Sequence, residues 1–148
     1  MTIGPLTSLV ALVLLVTACS SSGGGGLGAP PESAPVGSSI VAEMTDYKIT
    51  VNVTNWRAGG VTFGVRNLAN MEHSFVVLKT EIPHDKLPVD GATAKAKEDG
   101  KVGEIKSIAA GKSAAVRLEL QPGKYVLICN IAGHYQLGMH TSITMDPP

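Results

Sequence analysis

The sequence predicts an all-β domain, a Greek-key sandwich or barrel, and three observations carry that expectation. Short runs of alternating or β-branched residues recur from Ile40 onward, Gly and Pro turn signals separate them, and no segment keeps a long helical period. A chain of 148 residues is long enough to bury one real core and too short for two ordinary domains.

The elements are read in chain order. "IVAEMTDYKITVNV", from Ile40, mixes alternation with β-branched residues, and "GGVTFGVRN" sets Val61, Phe63 and Val65 against Thr62, Gly64 and Arg66 after a Gly-Gly turn. "HSFVVLKT" is a short apolar run, the pattern of a strand buried on both faces. Thr80 to Ser107 is a long, charged excursion. It is expected on the surface, crossing between sheets or carrying a short helix, with one or two turns over "DGATAKAKED". "KSAAVRLELQPGKYVLICN" reads as two strands joined at Gln121-Pro122-Gly123-Lys124, and "HTSITMD" as a last strand with Ile143 and Met145 on one face.

The N-terminus is of another kind. Leu6 to Val16 is an apolar stretch of about eleven residues, short of the ~20 that span a bilayer and suited to a signal-peptide core. Its end, Val16-Thr17-Ala18-Cys19, resembles the lipobox of bacterial lipoproteins. The resemblance implies a signal peptide over residues 1–18, cleavage before Cys19, and a diacylglycerol on the Cys19 thiol. The segment departs from the usual pattern in having no Lys or Arg ahead of its apolar core. Residues 19–38 are rich in Gly, Ser and Pro, cannot build a core, and read as a tether with an r.m.s. reach of roughly 20–25 Å. The folded domain is expected over 39–148, on the outer, periplasmic or cell-surface side of the cell membrane, as a monomer.

Twelve basic residues balance twelve acidic ones, so nothing points to nucleic acid or a polybasic membrane patch. Aromatic residues are too few for a base- or sugar-stacking surface. "AAGKS" mimics the tail of a phosphate-binding loop, but Lys106 stands where the glycine five residues before Gly111 is required.

The chemistry concentrates in "ICNIAGHYQLGMH", residues 128–140. With Cys19 lipidated, Cys129 has no disulfide partner in the chain, and a free thiol is unusual in an exported protein. Taken singly, Cys129 reads as a packing residue, His134 as a surface loop residue and Met139 as core filler. Together with His73, at the start of an apolar strand, they offer two imidazoles, a thiolate and a thioether. That donor set suits a copper ion held between Cu(I) and Cu(II).

"NLANMEHSFVVL", then "IAAGKSAAVRLELQPGKYVLICNIAGHYQLGM", resembles the cupredoxins, the blue-copper electron carriers that include plastocyanin, azurin and sulfocyanin. The likeness runs from about Ile40 to Met145. It implies one type 1 copper ion, with His73 and His134 as imidazole ligands, Cys129 as thiolate and Met139 as axial thioether. It also implies redox protein partners docking near His134, on a patch of Ile131, Ala132, Gly133, Leu137 and Tyr135. Two departures stand out. Ser74 occupies the place after the upstream histidine where many cupredoxins have Asn, and His140-Thr141 follows Met139. His140 is expected to point to the face opposite Met139, and His84 to lie on the surface.

Copper oxidases and reductases of this fold relay electrons through a histidine beside the copper cysteine, but Ile128 and Asn130 flank Cys129 here. An enzyme is therefore not expected. The alternative is an envelope copper-handling protein, a chaperone or buffer, although no Met-rich cluster is present.

Overall fold

The computed structural model describes Met1, Gly4 and residues 39–148. The expected signal core, Cys19 and the tether lie outside the described residues. Eleven strands follow in the domain: β1 (Ser39–Thr45), β2 (Lys48–Val51), β3 (Asn55–Arg57), β4 (Gly59–Asn67), β5 (His73–Lys79) and β6 (Val89–Asp90). They continue with β7 (Lys95–Ala96), β8 (Lys101–Ile108), β9 (Ser113–Leu120), β10 (Gly123–Ile128) and β11 (His140–Asp146). One sheet has the order β2-β1-β4-β9 and the other β3-β11-β10-β5-β8, with β6 and β7 forming a small separate hairpin. The fold is a two-sheet sandwich.

Alternation explains the layers. Ile40, Ala42 and Met44 of β1 and Val61, Phe63 and Val65 of β4 turn inward. They meet Phe75 and Val77 of β5, Tyr125 and Leu127 of β10, and Ile143 and Met145 of β11. The two phenylalanines bridge the sheets, with ring centroids 5.5 Å apart. At the β9–β10 junction the Pro122-Gly123 turn passes the chain from one sheet to the other, and Tyr125 Oη donates to the Gln121 carbonyl at 2.9 Å. A tyrosine reaching back four residues in this way fastens such a corner.

The opposite face of β5 and β10 is also covered. Val76, Leu78, Val126 and Ile128 pack under Leu87, Ala96 and Tyr135. This is why "HSFVVLK" carries no polar alternation: the excursion after it folds back as its second cover.

The excursion itself differs from the sequence expectation. It neither changes sheet nor forms a helix, since β8 returns to pair antiparallel with β5. "DGAT" makes a turn between β6 and β7 because the Asp90 carboxylate accepts from the Ala92 and Thr93 amides at 2.9 and 3.0 Å. A side chain that satisfies those amides removes the need for helical hydrogen bonds.

Candidate metal centre

Three strand ends place the site at one end of the sandwich. His73 opens β5, and the loop before it is held by the buried Asn67. The Asn67 side-chain amide donates to the Met71 and Ile108 carbonyls at 2.7 and 2.8 Å, while its oxygen accepts from the Ala69 amide at 3.0 Å. Cys129 stands just past the end of β10 and Met139 just before β11, each one residue outside its strand. The Cys129 amide donates to the Met139 carbonyl at 3.0 Å, which closes the loop between them. Within it Gly133 and Gly138 take φ values of 83° and 111°, where a side chain would be strained. The His134 amide donates to the Ile131 carbonyl at 3.0 Å and the Met139 amide to the His134 carbonyl at 3.1 Å, so the loop is a compact turn that fixes the His134 backbone.

The side chains converge. His73 Nδ1 and His134 Nδ1 are 3.2 Å apart, and Cys129 Sγ lies 3.7 Å from the first and 3.5 Å from the second. A point equidistant from these three atoms is about 2 Å from each, close to the length of a metal–imidazole bond. Among the described residues this is the one group of three His, Cys, Asp or Glu donors placed to share an ion. Burial, then the neighbouring His134, lowers the pKa of His73, with Asp46 opposing. The two lowering effects favour the neutral imidazole, the form that keeps a lone pair for bonding. The residues present fit a copper ion of the type 1 kind, with borderline imidazoles and a soft thiolate meeting in one small triangle.

Met139 is fully buried in the same core cluster as Cys129. Ser74, the residue after His73, reaches the cysteine: its amide donates to Cys129 Sγ at 3.3 Å, and its hydroxyl lies 3.6 Å from that sulfur. The same hydroxyl accepts from the Asn130 amide at 2.9 Å. Asn130, noted in the sequence only for not being histidine, ties the cysteine to the excursion. Its side chain accepts from the Ala96 amide at 2.8 Å and donates to the Ala96 carbonyl at 2.9 Å and to Glu98 Oε1 at 2.7 Å.

Two expectations about the surroundings change. Tyr135 is buried, with its hydroxyl donating to the His84 carbonyl and accepting from the Leu87 amide, so it is not part of an exposed patch. Tyr47, which the sequence did not single out, stands edge-on to His134 at 5.6 Å between ring centroids and is 38% exposed. No local signal marks it, because the contact joins the β1–β2 turn to a loop far along the chain. His140 stays out of the three-donor group, as alternation demands, and packs on Tyr135. His84 is half-buried and paired with His140 instead of standing free on the surface.

A β-sandwich with a His-Cys-His triangle at one end of its strands defines the class of single-copper electron carriers. A sequence profile of the copper-binding proteins of the plastocyanin/azurin family matches residues 40–146, and the chain belongs to that family. Its members are electron carriers rather than enzymes, and they exchange electrons with redox partners. Among solved structures, a dithionite-reduced auracyanin from the photosynthetic bacterium Roseiflexus castenholzii aligns at 20% identity. It covers 74% of this chain and 98% of its own, with a TM-score of 0.55. Auracyanin B aligns at 18% identity over 75% of this chain and 90% of its own, with a TM-score of 0.59. Rusticyanin from Thiobacillus ferrooxidans aligns at 20% identity over 73% and 76%, with a TM-score of 0.54. At such identities the likeness establishes the fold alone. No curated protein sequence matches the chain closely enough to count as a relative.

Proposed function

We propose that this blue-copper electron-transfer protein is tethered to the outer face of the cell membrane through lipid on Cys19 and shuttles single electrons between partners that dock near His134. The observation that carries the redox reading is the triangle of His73 Nδ1, His134 Nδ1 and Cys129 Sγ set in a rigid sheet end. In this reading those three residues, with Met139 beside them in the core, would hold the copper ion. Copper bound there supplies one-electron exchange between Cu(I) and Cu(II).

The chain's part is to hold the donors still and dry. His73, Cys129 and Met139 are fully buried, so water is kept from the centre, and the paired strands leave the donors little room to rearrange as charge changes. The same burial argues against the copper-handling alternative, because handing over an ion needs donors that a second protein can reach. His134 is only half-buried, and beside it Leu137 is 58% exposed. That side therefore offers an apolar contact next to the one ligand near solvent. Balanced charge suits brief docking there better than long-range steering.

The test is a Cu(II) titration of the domain followed by visible absorption. An intense thiolate-to-copper band, bleached by ascorbate and restored by an oxidant, is expected. A colourless protein that binds only Cu(I) would return the copper-handling reading. Leu137→Asp is expected to slow electron exchange with a docking partner about tenfold or more while leaving that band intact, since taking a carboxylate out of water in a closed contact costs on the order of several kcal/mol. Unchanged stopped-flow rates would remove docking from this face. For the tether, Cys19→Ala is expected to abolish palmitate labelling and release the protein from the membrane fraction. Continued labelling would show that the lipid is held elsewhere.

A further inference from the structure

A second pair of imidazoles faces each other outside the blue centre. His84, in the loop after β5, and His140, the first residue of β11, approach Nδ1 to Nδ1 at 2.7 Å, with ring centroids 4.8 Å apart. Two imidazole nitrogens bound to one ion at ~2.0–2.1 Å, at right-angle to tetrahedral spacing, stand roughly 2.8–3.4 Å apart. The pair thus needs to open by only a few tenths of an ångström. Its geometry is close to that of His73 and His134, whose Nδ1 atoms are 3.2 Å apart.

The pair is built by the fold. Tyr135 packs its ring 5.0 Å from that of His140, and its hydroxyl donates to the His84 carbonyl at 2.9 Å, so one buried side chain braces both histidines. Both rings are half-buried, within reach of solvent. A cavity of about 250 Å³ adjoins His84, lined also by Glu81, Lys124 and Ser142, and it has room for water molecules. The Glu81 carboxylate there is held by Lys124 Nζ at 3.0 Å.

We propose that His84 and His140 form a second metal site, open to solvent, that takes a borderline divalent ion, Cu(II) before others, with water filling the remaining positions. Imidazole donors suit Cu(II), Ni(II) and Zn(II), and Cu(II) heads the affinity order among these ions. With two protein donors instead of three or four, the ion exchanges freely. That separates this site in kind from the buried centre, and the site stands whether or not the membrane-tethered reading holds.

The experiment starts from the full chain carrying one copper in its blue centre and adds a second equivalent of Cu(II). The expected result is a second, tetragonal copper signal in the EPR spectrum with no new intense visible band. In His84→Gln that second uptake weakens at least tenfold while the blue band is unchanged, which also reports an intact fold. Independently of any variant, Zn(II) added to the Cu(I)-loaded protein is expected to shift the His84 and His140 ring resonances and leave those of His73 and His134 in place. A pair that is only a hydrogen bond would stop uptake at one copper and leave the His84 and His140 resonances unmoved. Either that result or equal second uptake by His84→Gln overturns the site. The blue band is read separately, so failure of the redox centre and failure of this site are told apart.

Discussion

Cys129→Ser is expected to erase the blue absorption band completely, leaving a folded, colourless domain. The band requires charge transfer from a thiolate, and Cys129 is the sole cysteine of the described domain. A serine hydroxyl does not ionise at neutral pH and is a harder donor than sulfur, so it fails on both counts. The fold should survive because the residue is small and the amide that bonds the Met139 carbonyl is unchanged. Circular dichroism gives the fold and a visible spectrum the site. A band that persisted in the serine variant would mean that the thiolate lies elsewhere, and the triangle would lose its meaning. Met139→Leu is the companion test. If the thioether is the axial donor, the band remains and the reduction potential rises, because losing a weak donor disfavours Cu(II) more than Cu(I). An unchanged potential would remove Met139 from the ligand set.

Phe75→Ala is expected to cost about 3–5 kcal/mol, a large share of the ~5–15 kcal/mol by which a domain of this kind is stable. The chain has two phenylalanines, Phe63 and Phe75, and both are fully buried against each other between the sheets. With so few aromatic side chains, little else is large enough to fill the space. Phe75 also follows the residues that carry His73 and the Ser74 hydrogen bonds to Cys129, so the cavity would sit beside the site. Urea denaturation of the metal-free and copper-loaded forms reads the loss. A cost below about 1 kcal/mol would show that the sheets close over the gap instead of leaving a cavity.

What could be read along the chain was what local pattern encodes. Period-2 alternation in β4 and β11 fixes which side chains face inward, and Pro122-Gly123 marks a turn wherever the chain goes next. The Cys129, His134 and Met139 spacing is visible because all three lie in one loop, and His73 because it opens an apolar strand. The reading failed where the outcome depended on distant segments. The length and charge of the Thr80–Ser107 excursion suggest a sheet crossing or a helix, because they say nothing of β8 pairing with β5. Loop neighbours make Tyr135 a candidate for the docking patch, whereas Leu87 and Ala96 cover it from the excursion.

The amino-acid order alone pointed to an all-β domain, to its candidate soft-metal donors, and to an N-terminal segment unlike the rest. Only the folded chain brought Ser74 to the Cys129 sulfur, Asn130 to Ala96 and Glu98, Tyr47 to the His134 ring, and His84 to His140. The reason is physical. Strand and turn preferences act over a few residues, whereas these contacts join side chains on separate elements and exist only once the sheets have paired and set their register.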